Sequence, residues 1–392
     1  MPDEVRAFAP GRVNLIGEHT DYNHGLALPL AIAEGVTVRA RTAGGGGRRI
    51  RARALTLGEE DEFELPNPQR CPGWRAFVRG IAAELSHSGL RIPDVELEIS
   101  GNLPRGAGLS SSAALEVALA LALLGLAGVE LRESSGAGNA GLRVGRSAGR
   151  TQIIDRRELA RVCAHVENEW VGAHTGLLDQ LASLFGEPHA ALLIDFSDLD
   201  IQPVPLPLGG GWRLVTLDSG EPRALAASGY NERRAECTQA CELLGVDSLR
   251  EVGRGGPDHP PGALNPLLAG DLSLEEMSRL PPVLVRRVMH VLGENARVRA
   301  TVSALREGDL PRVGALLDAS HASLRDLYEC STPAVEATVE RLRRAGAAGA
   351  RMVGGGFGGH VLGLLAPDAV PPDGAREVLP SAGAHLLAPG AC

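Results

Sequence analysis

The chain has 392 residues, 44% of them hydrophobic, and acidic side chains outnumber basic ones 48 to 39 for a formal charge of -9. A mean hydropathy near zero allows a sizeable core, and the lack of a global positive field argues against nucleic acid or anionic lipid as partners. No lysine occurs, a bias that fits a GC-rich genome and excludes a Walker P-loop, a protein-kinase strand lysine and a Schiff-base amine.

The length predicts two domains, because one core usually holds roughly 100–200 residues. The start, Met1 to Arg6, lacks a basic region followed by an apolar run, and no stretch of about 18 apolar residues reads as a membrane span. The expectation is a cytoplasmic protein without a membrane partner. The six cysteines include no C-x-x-C pair, and Cys237 and Cys241 sit at helical spacing, so buried or incidental thiols are expected instead of a zinc site.

In chain order, Val5, Ala7 and Ala9 alternate before Pro10-Gly11, and Val13 and Leu15 continue a strand on which Arg12 points away from the apolar face. Residues 26–42 and 48–57 read as further strands around a turn at Gly44 to Gly47. Trp74, Phe77, Val78, Ile81, Ala82 and Leu85 repeat as one helix face, and Val95, Leu97 and Ile99 alternate as a strand. Ser110 to Leu126 carries one charge, Glu116, so this helix should be buried with its N-terminus opening inside the protein. Residues 128–155 read as a flexible surface insertion, and a helix resumes near Arg156. The Pro/Gly run from Gln202 to Trp212 suits an extended connection and sets a predicted divide into domains 1–209 and 210–392. The second half alternates helical patterns at 231–244, 284–305, 313–327 and 333–345 with strands near 212–217 and 361–365, an α+β layout.

Four stretches carry chemistry. Between Pro10 and Asn23, Arg, Glu, His and Asp flank Gly17; a solvated turn needs no such convergence, whereas a polar ligand does. Leu103 to Ala114 is a glycine turn feeding the buried helix, where free N–H groups and the helix dipole can hold phosphate without lysine; three serines at a buried helix start otherwise need partners. Glu167 lies at the edge of an apolar stripe, partly buried, and Mg²⁺ would satisfy it. Asp179 sits among leucines after Gly176, read equally as a general base with a raised pKa or as an exposed aspartate beginning a helix. Finally, Gly354 to Gly359 matches G-x-G-x-x-G, but it lacks the preceding strong strand and following acidic residue of a dinucleotide fold.

Taken together, these stretches resemble the galactokinase branch of the GHMP kinases, whose three motifs stand here in order at residues 10–30, 103–114 and 354–359. The resemblance covers essentially the whole chain and implies a two-domain fold with the active site in the cleft between domains. It implies Asp179 as catalytic base and Arg12 as stabiliser of charge between sugar and γ-phosphate. Glu18, His19, Thr20, Asp21, Gly176 and Tyr230 would hold the sugar. Gly106, Ala107, Gly108, Leu109, Ser110, Ser111 and Ser112 would cradle ATP, with Trp74 stacking adenine and Ser112 and Glu167 ligating Mg²⁺. Galactose and ATP are the implied partners, and no obligate protein partner is evident. Thr175 and Leu178 stand where the family commonly has Cys and Met, His360 where Cys is frequent, and Pro222-Arg223 where an Arg-His pair is expected. These departures bear on fine specificity, so a kinase for N-acetylgalactosamine stays open. So does a silent sugar sensor, although the intact Ser110 to Ala114 favours a kinase.

Overall fold

Alternating apolar residues in the first hundred positions supply five strands of a six-stranded sheet, which a strand near the end of the chain completes, and the other strands among the described residues form three smaller sheets. The computed structural model describes residues 2–44, 47–104, 108–132, 153–173, 175–221, 226–252 and 274–388. Through the first half these are β1 (Glu4–Asn14), β2 (Leu26–Ala27), β3 (Pro29–Thr42), β4 (Arg49–Ala54), β5 (Glu59–Glu64), α1 (Trp74–His87), β6 (Val95–Gly101), α2 (Ser111–Leu126), β7 (Glu130–Arg132), β8 (Ile153–Asp155), α3 (Arg156–Val166), α4 (Leu178–Phe185), β9 (Ala190–Asp195) and β10 (Asp200–Pro205). Then follow β11 (Arg213–Asp218), α5 (Ala226–Leu244), α6 (Leu274–Arg279), α7 (Pro282–Glu307), α8 (Leu310–Asp326), α9 (Pro333–Arg344), β12 (Ala347–Met352), β13 (His360–Leu365), β14 (Arg376–Glu377) and β15 (His385–Leu386).

The large sheet runs β15-β1-β3-β6-β4-β5, antiparallel except for the β4–β6 pair. Because α2 is apolar all round, it can lie in the middle of a layer, against β1 and β3 on one side and α1, α3 and α4 on the others. In the second half, α8 and α9 cover the sheet β12-β13-β11-β14. A third core joins the halves, packing Val13, Leu15, Ile16 and Leu28 against Val298, Val302, Leu317 and Leu362. The end of the signature strand is therefore fixed by both halves of the chain.

Three local outcomes differ from the sequence pattern. The Pro/Gly run begins as β10, an edge strand of the sheet β10-β9-β2, where Pro203 and Pro205 remove no needed ladder bond. Within 128–155, residues 133–152 lie outside the described residues; the ends pair as β7 and β8, Val129 and Ile154 are buried, and Asp155 caps α3. The chain also returns at β15 to pair with β1, so its last described strand belongs to the N-terminal sheet. Among the described residues no helix is long and apolar enough to cross a membrane.

Candidate active site

The site is assembled where β1 ends. A register shift between Pro10 and Arg12 interrupts the β1–β3 ladder, and such a bulge re-aims the side chain that follows. Gly11 has no room for a side chain, since a Cβ there would fall 2.5 Å from the Leu109 carbonyl. That closeness lets the Arg12 N–H donate to the Leu109 carbonyl at 3.1 Å, tying the signature strand to the glycine turn. The Arg12 guanidinium, buried against this turn, donates to the Gly108 carbonyl at 2.6 Å and to Asp179 at 2.6 Å. Asp179, in the first turn of α4, takes the Ser110 hydroxyl on its other oxygen. Ser110 itself lies in the left-handed region at φ 59°, immediately before α2.

Behind Asp179 lie two more acids. After α3 the helix widens over Glu167–Val171, where Gly172 N–H reaches back to the Glu167 carbonyl, and such turns recur at functional sites. Glu167 is 5% exposed and accepts from Thr175 at 2.9 Å, Gln180 at 2.8 Å and Ser112. Burial and the Asp179 charge raise its pKa, and its donors Ser112, Thr175 and Gln180 are all neutral. Glu116 is fully buried on α2, shares the Gln180 amide at 3.2 Å, and is held well above the usual carboxylate range by burial and by Glu167. Among the described residues no group of three or more His, Cys, Asp and Glu side chains could hold a metal by itself. Ser112 and Glu167 fit Mg²⁺ that also takes phosphate oxygens and waters, which is how that ion is commonly bound.

The other wall is the loop from Gly17 to Gly25. It contains three left-handed residues, Gly17, His19 and His24, at φ 98°, 61° and 54°. Glu18 accepts from the Gly354 N–H at 2.7 Å and lies 3.6 Å from buried Arg351, which also donates to the Asn14 and Leu15 carbonyls. His19 stacks between Tyr328 and Tyr230 at 4.5 and 5.3 Å, and its Nδ1 is 2.7 Å from the Tyr22 hydroxyl. Burial pushes its pKa well below the ordinary value, so the ring is neutral. Asp21 is pressed against Gly176, and its carboxyl is pushed up to about 7 by burial and by Asp179. The result is a cleft of about 330 Å³ with acids on two sides and a glycine turn on the third.

Comparison with known proteins names this arrangement. The galactokinase galactose-binding signature matches residues 2–42, the GHMP kinases N terminal domain 76–187 and the GHMP kinases C terminal 301–385. Galactokinase of Thermotoga neapolitana is 37% identical over 361 residues, covering 92% of this chain and 89% of its own. That of Mycobacterium tuberculosis is 39% identical over 374 residues, covering 94% and 90%. The chain belongs to the galactokinase family of GHMP kinases. The solved galactokinase of Lactococcus lactis, complexed with galactose, is 30% identical with a TM-score of 0.82 over 98% of this chain and 95% of that one. Mevalonate kinase of Methanococcus jannaschii, 15% identical at a TM-score of 0.59 over 96% and 98%, shares the fold alone.

In this galactokinase-family chain, Arg12, Glu18, His19 and Asp21 line the cleft from the first motif, and Gly108, Ser110, Ser111 and Ser112 from the second. Glu167, Gly176, Asp179 and Tyr230 line it from later elements. Gly106 and Ala107 lie outside the described residues, and Leu109 contributes its carbonyl to Arg12 while its side chain is buried in the core. Thr20 does not line this cleft; its buried hydroxyl is engaged by the Gly17 and Leu26 carbonyls inside the loop. Trp74 does not line it either; Arg75 lies over its ring at 5.1 Å and its N–H donates to Glu59. Sequence reasoning missed Gln180, which donates to Glu167, and Arg351, which lies beside Glu18. Only Arg351 carried a signal, a charge three positions before a glycine run.

Proposed function

We propose that this chain transfers the γ-phosphoryl group of ATP to the C1 hydroxyl of α-D-galactose, giving galactose 1-phosphate and ADP. The observation that carries the reading is Asp179, one oxygen on Arg12 and the other on Ser110, at the junction of the loop and the glycine turn. In this reading Asp179 takes the proton of the attacking hydroxyl as its oxygen bonds to phosphorus, and the bond to the β,γ-bridging oxygen breaks to release ADP. Arg12, already drawn to the carboxylate, faces the charge that gathers between acceptor and γ-phosphate. Glu18, His19, Asp21 and Tyr230 hold sugar hydroxyls, and Gly176 lets Asp21 come close. The α2 N-terminus and Ser110 to Ser112 receive phosphate oxygens. Ser112 and Glu167 hold Mg²⁺, which when bound neutralises phosphate charge. The reaction belongs in the cytoplasm, where ATP is supplied.

ADP release measured over a panel of sugars, with and without Mg²⁺, tests this. Galactose is expected to give the largest kcat/KM, with turnover lost on chelation. A preference for N-acetylgalactosamine, or galactose binding without turnover, would replace the reading.

A further inference from the structure

The loop that faces the sugar is strained. His19 and His24 occupy the left-handed region without being glycine, a conformation that persists only when the surroundings hold it. Its own residues supply part of that hold, since the Asn23 side chain donates to the His19 carbonyl at 2.8 Å and the Thr20 carbonyl accepts from Asn23 and Gly25. The Phe196 N–H and Arg250 donate to the Gly25 and His24 carbonyls at 2.9 Å each, and three further bonds come from α7, in the second half of the chain. Glu294 accepts the Gly17 N–H at 3.0 Å. Asn295 accepts the Leu26 N–H at 2.7 Å, and a Cβ on Gly25 would lie 2.6 Å from the same side-chain oxygen. Nε2 of His290 donates to the Glu18 carbonyl at 3.2 Å, because a carbonyl can only accept, and Nδ1 of the neutral ring therefore accepts from the Ser323 hydroxyl at 2.8 Å.

Two of these side chains are themselves locked, and Asn295 is buried beside them. Glu294 is fully buried and also takes Arg297 at 2.7 Å and Ser320 at 2.6 Å; burial would raise its pKa, but the Arg297 charge brings it down to about 2. His290 is fully buried, stacks on Tyr328 at 4.4 Å, and is lowered by burial to about 4, so it stays neutral. All three bonds go to main-chain atoms at residues 17, 18 and 26, on either side of Glu18, His19 and Asp21.

We propose that His290, Glu294 and Asn295 are positioning residues that set sugar affinity by fixing the backbone of residues 17–26, without touching the sugar. This deepens the function proposed above and rests on it. Removing such a bond leaves a main-chain group unpaired in the interior and frees the loop, which is expected to weaken binding by about tenfold or more.

The test compares the wild-type chain with His290→Leu, His290→Gln and Asn295→Leu by calorimetry, titrating galactose and ADP separately, with thermal melting as the folding check. Both leucine variants are expected to lose galactose affinity about tenfold while keeping ADP affinity, and the Gln variant, whose amide can donate to the same carbonyl, to recover most of it. Folded leucine variants that bind galactose as the wild type does would overturn the inference. A parallel loss of ADP affinity, or Gln no better than Leu, would do the same. Should the leucine variants not fold, Asn295→Ser, too short to reach Leu26, is judged by the same two affinities. Wild type that fails to bind galactose would instead refute the proposed function.

Discussion

Replacing Asp179 by Asn preserves the side-chain shape and removes its charge and its capacity to take a proton. The amide oxygen can stay on Arg12 and the amide nitrogen can face the Ser110 oxygen, so both present contacts survive in weakened form. Losing the charge opposite a buried guanidinium costs about 1–3 kcal/mol, which a urea midpoint would register without loss of the fold. No other cleft carboxylate can substitute. Glu18 is held by the Gly354 N–H and Arg351, Glu167 by Thr175 and Gln180, and Asp21 is packed against Gly176, so none of them sits on Arg12 and Ser110 as Asp179 does. Since a positioned general base contributes typically 10²–10⁴ in rate, kcat should fall by roughly that factor. The assay is ADP release at saturating galactose and ATP, paired with calorimetric ADP affinity, which should hold. A folded variant with kcat within about threefold of wild type would refute the base assignment and the mechanism built on it.

Gly176→Ala would place a Cβ 1.9 Å from the Asp21 carboxylate. Asp21 must then move by more than a rotamer's slack, and kcat/KM for galactose should drop by roughly 10²-fold with little change in the KM for ATP; an unchanged galactose KM would rule out close Asp21–Gly176 packing as a requirement. For pH, Asp21 moves from an ordinary 3.8 in the unfolded chain to about 7 in the fold. The folded state therefore keeps a proton that the unfolded state has lost, so its contribution is intact below about pH 4 and is lost progressively as pH rises to about 7. Urea midpoints across that range should decline less steeply in Asp21→Asn than in wild type, and parallel slopes would show that the shift is absent.

The parts of this site legible in the sequence are those in which the backbone itself is the functional element. Gly11, Gly17 and the turn before Ser110 need close approaches or left-handed geometry, so their composition announces a loop, and polar residues beside them announce a ligand. Arg12 was legible only halfway. Alternation placed it off the apolar face of β1, but the bulge at Gly11 that turns it toward Asp179 depends on the Leu109 carbonyl, about a hundred residues away. Glu116 stood out as the single charge in an apolar helix, yet its partner Gln180 lies one residue from the proposed base and has no pattern of its own.

The grip of α7 was least legible, and the reason is physical. His290, Glu294 and Asn295 recognise N–H and C=O groups, which every residue offers, so no complementary side-chain motif exists in the loop to be matched against the helix. Periodicity detects α7 as a helix but not the fact that a buried glutamate there is satisfied by a main-chain donor, an arginine and a serine together. A polar residue on the buried face of a helix in the second half of a two-domain chain is thus a weak signal alone. It becomes stronger when the first half contains a loop with two non-glycine residues in the left-handed region, because such a loop keeps that shape only with donors and acceptors around it, and α7 supplies three of them.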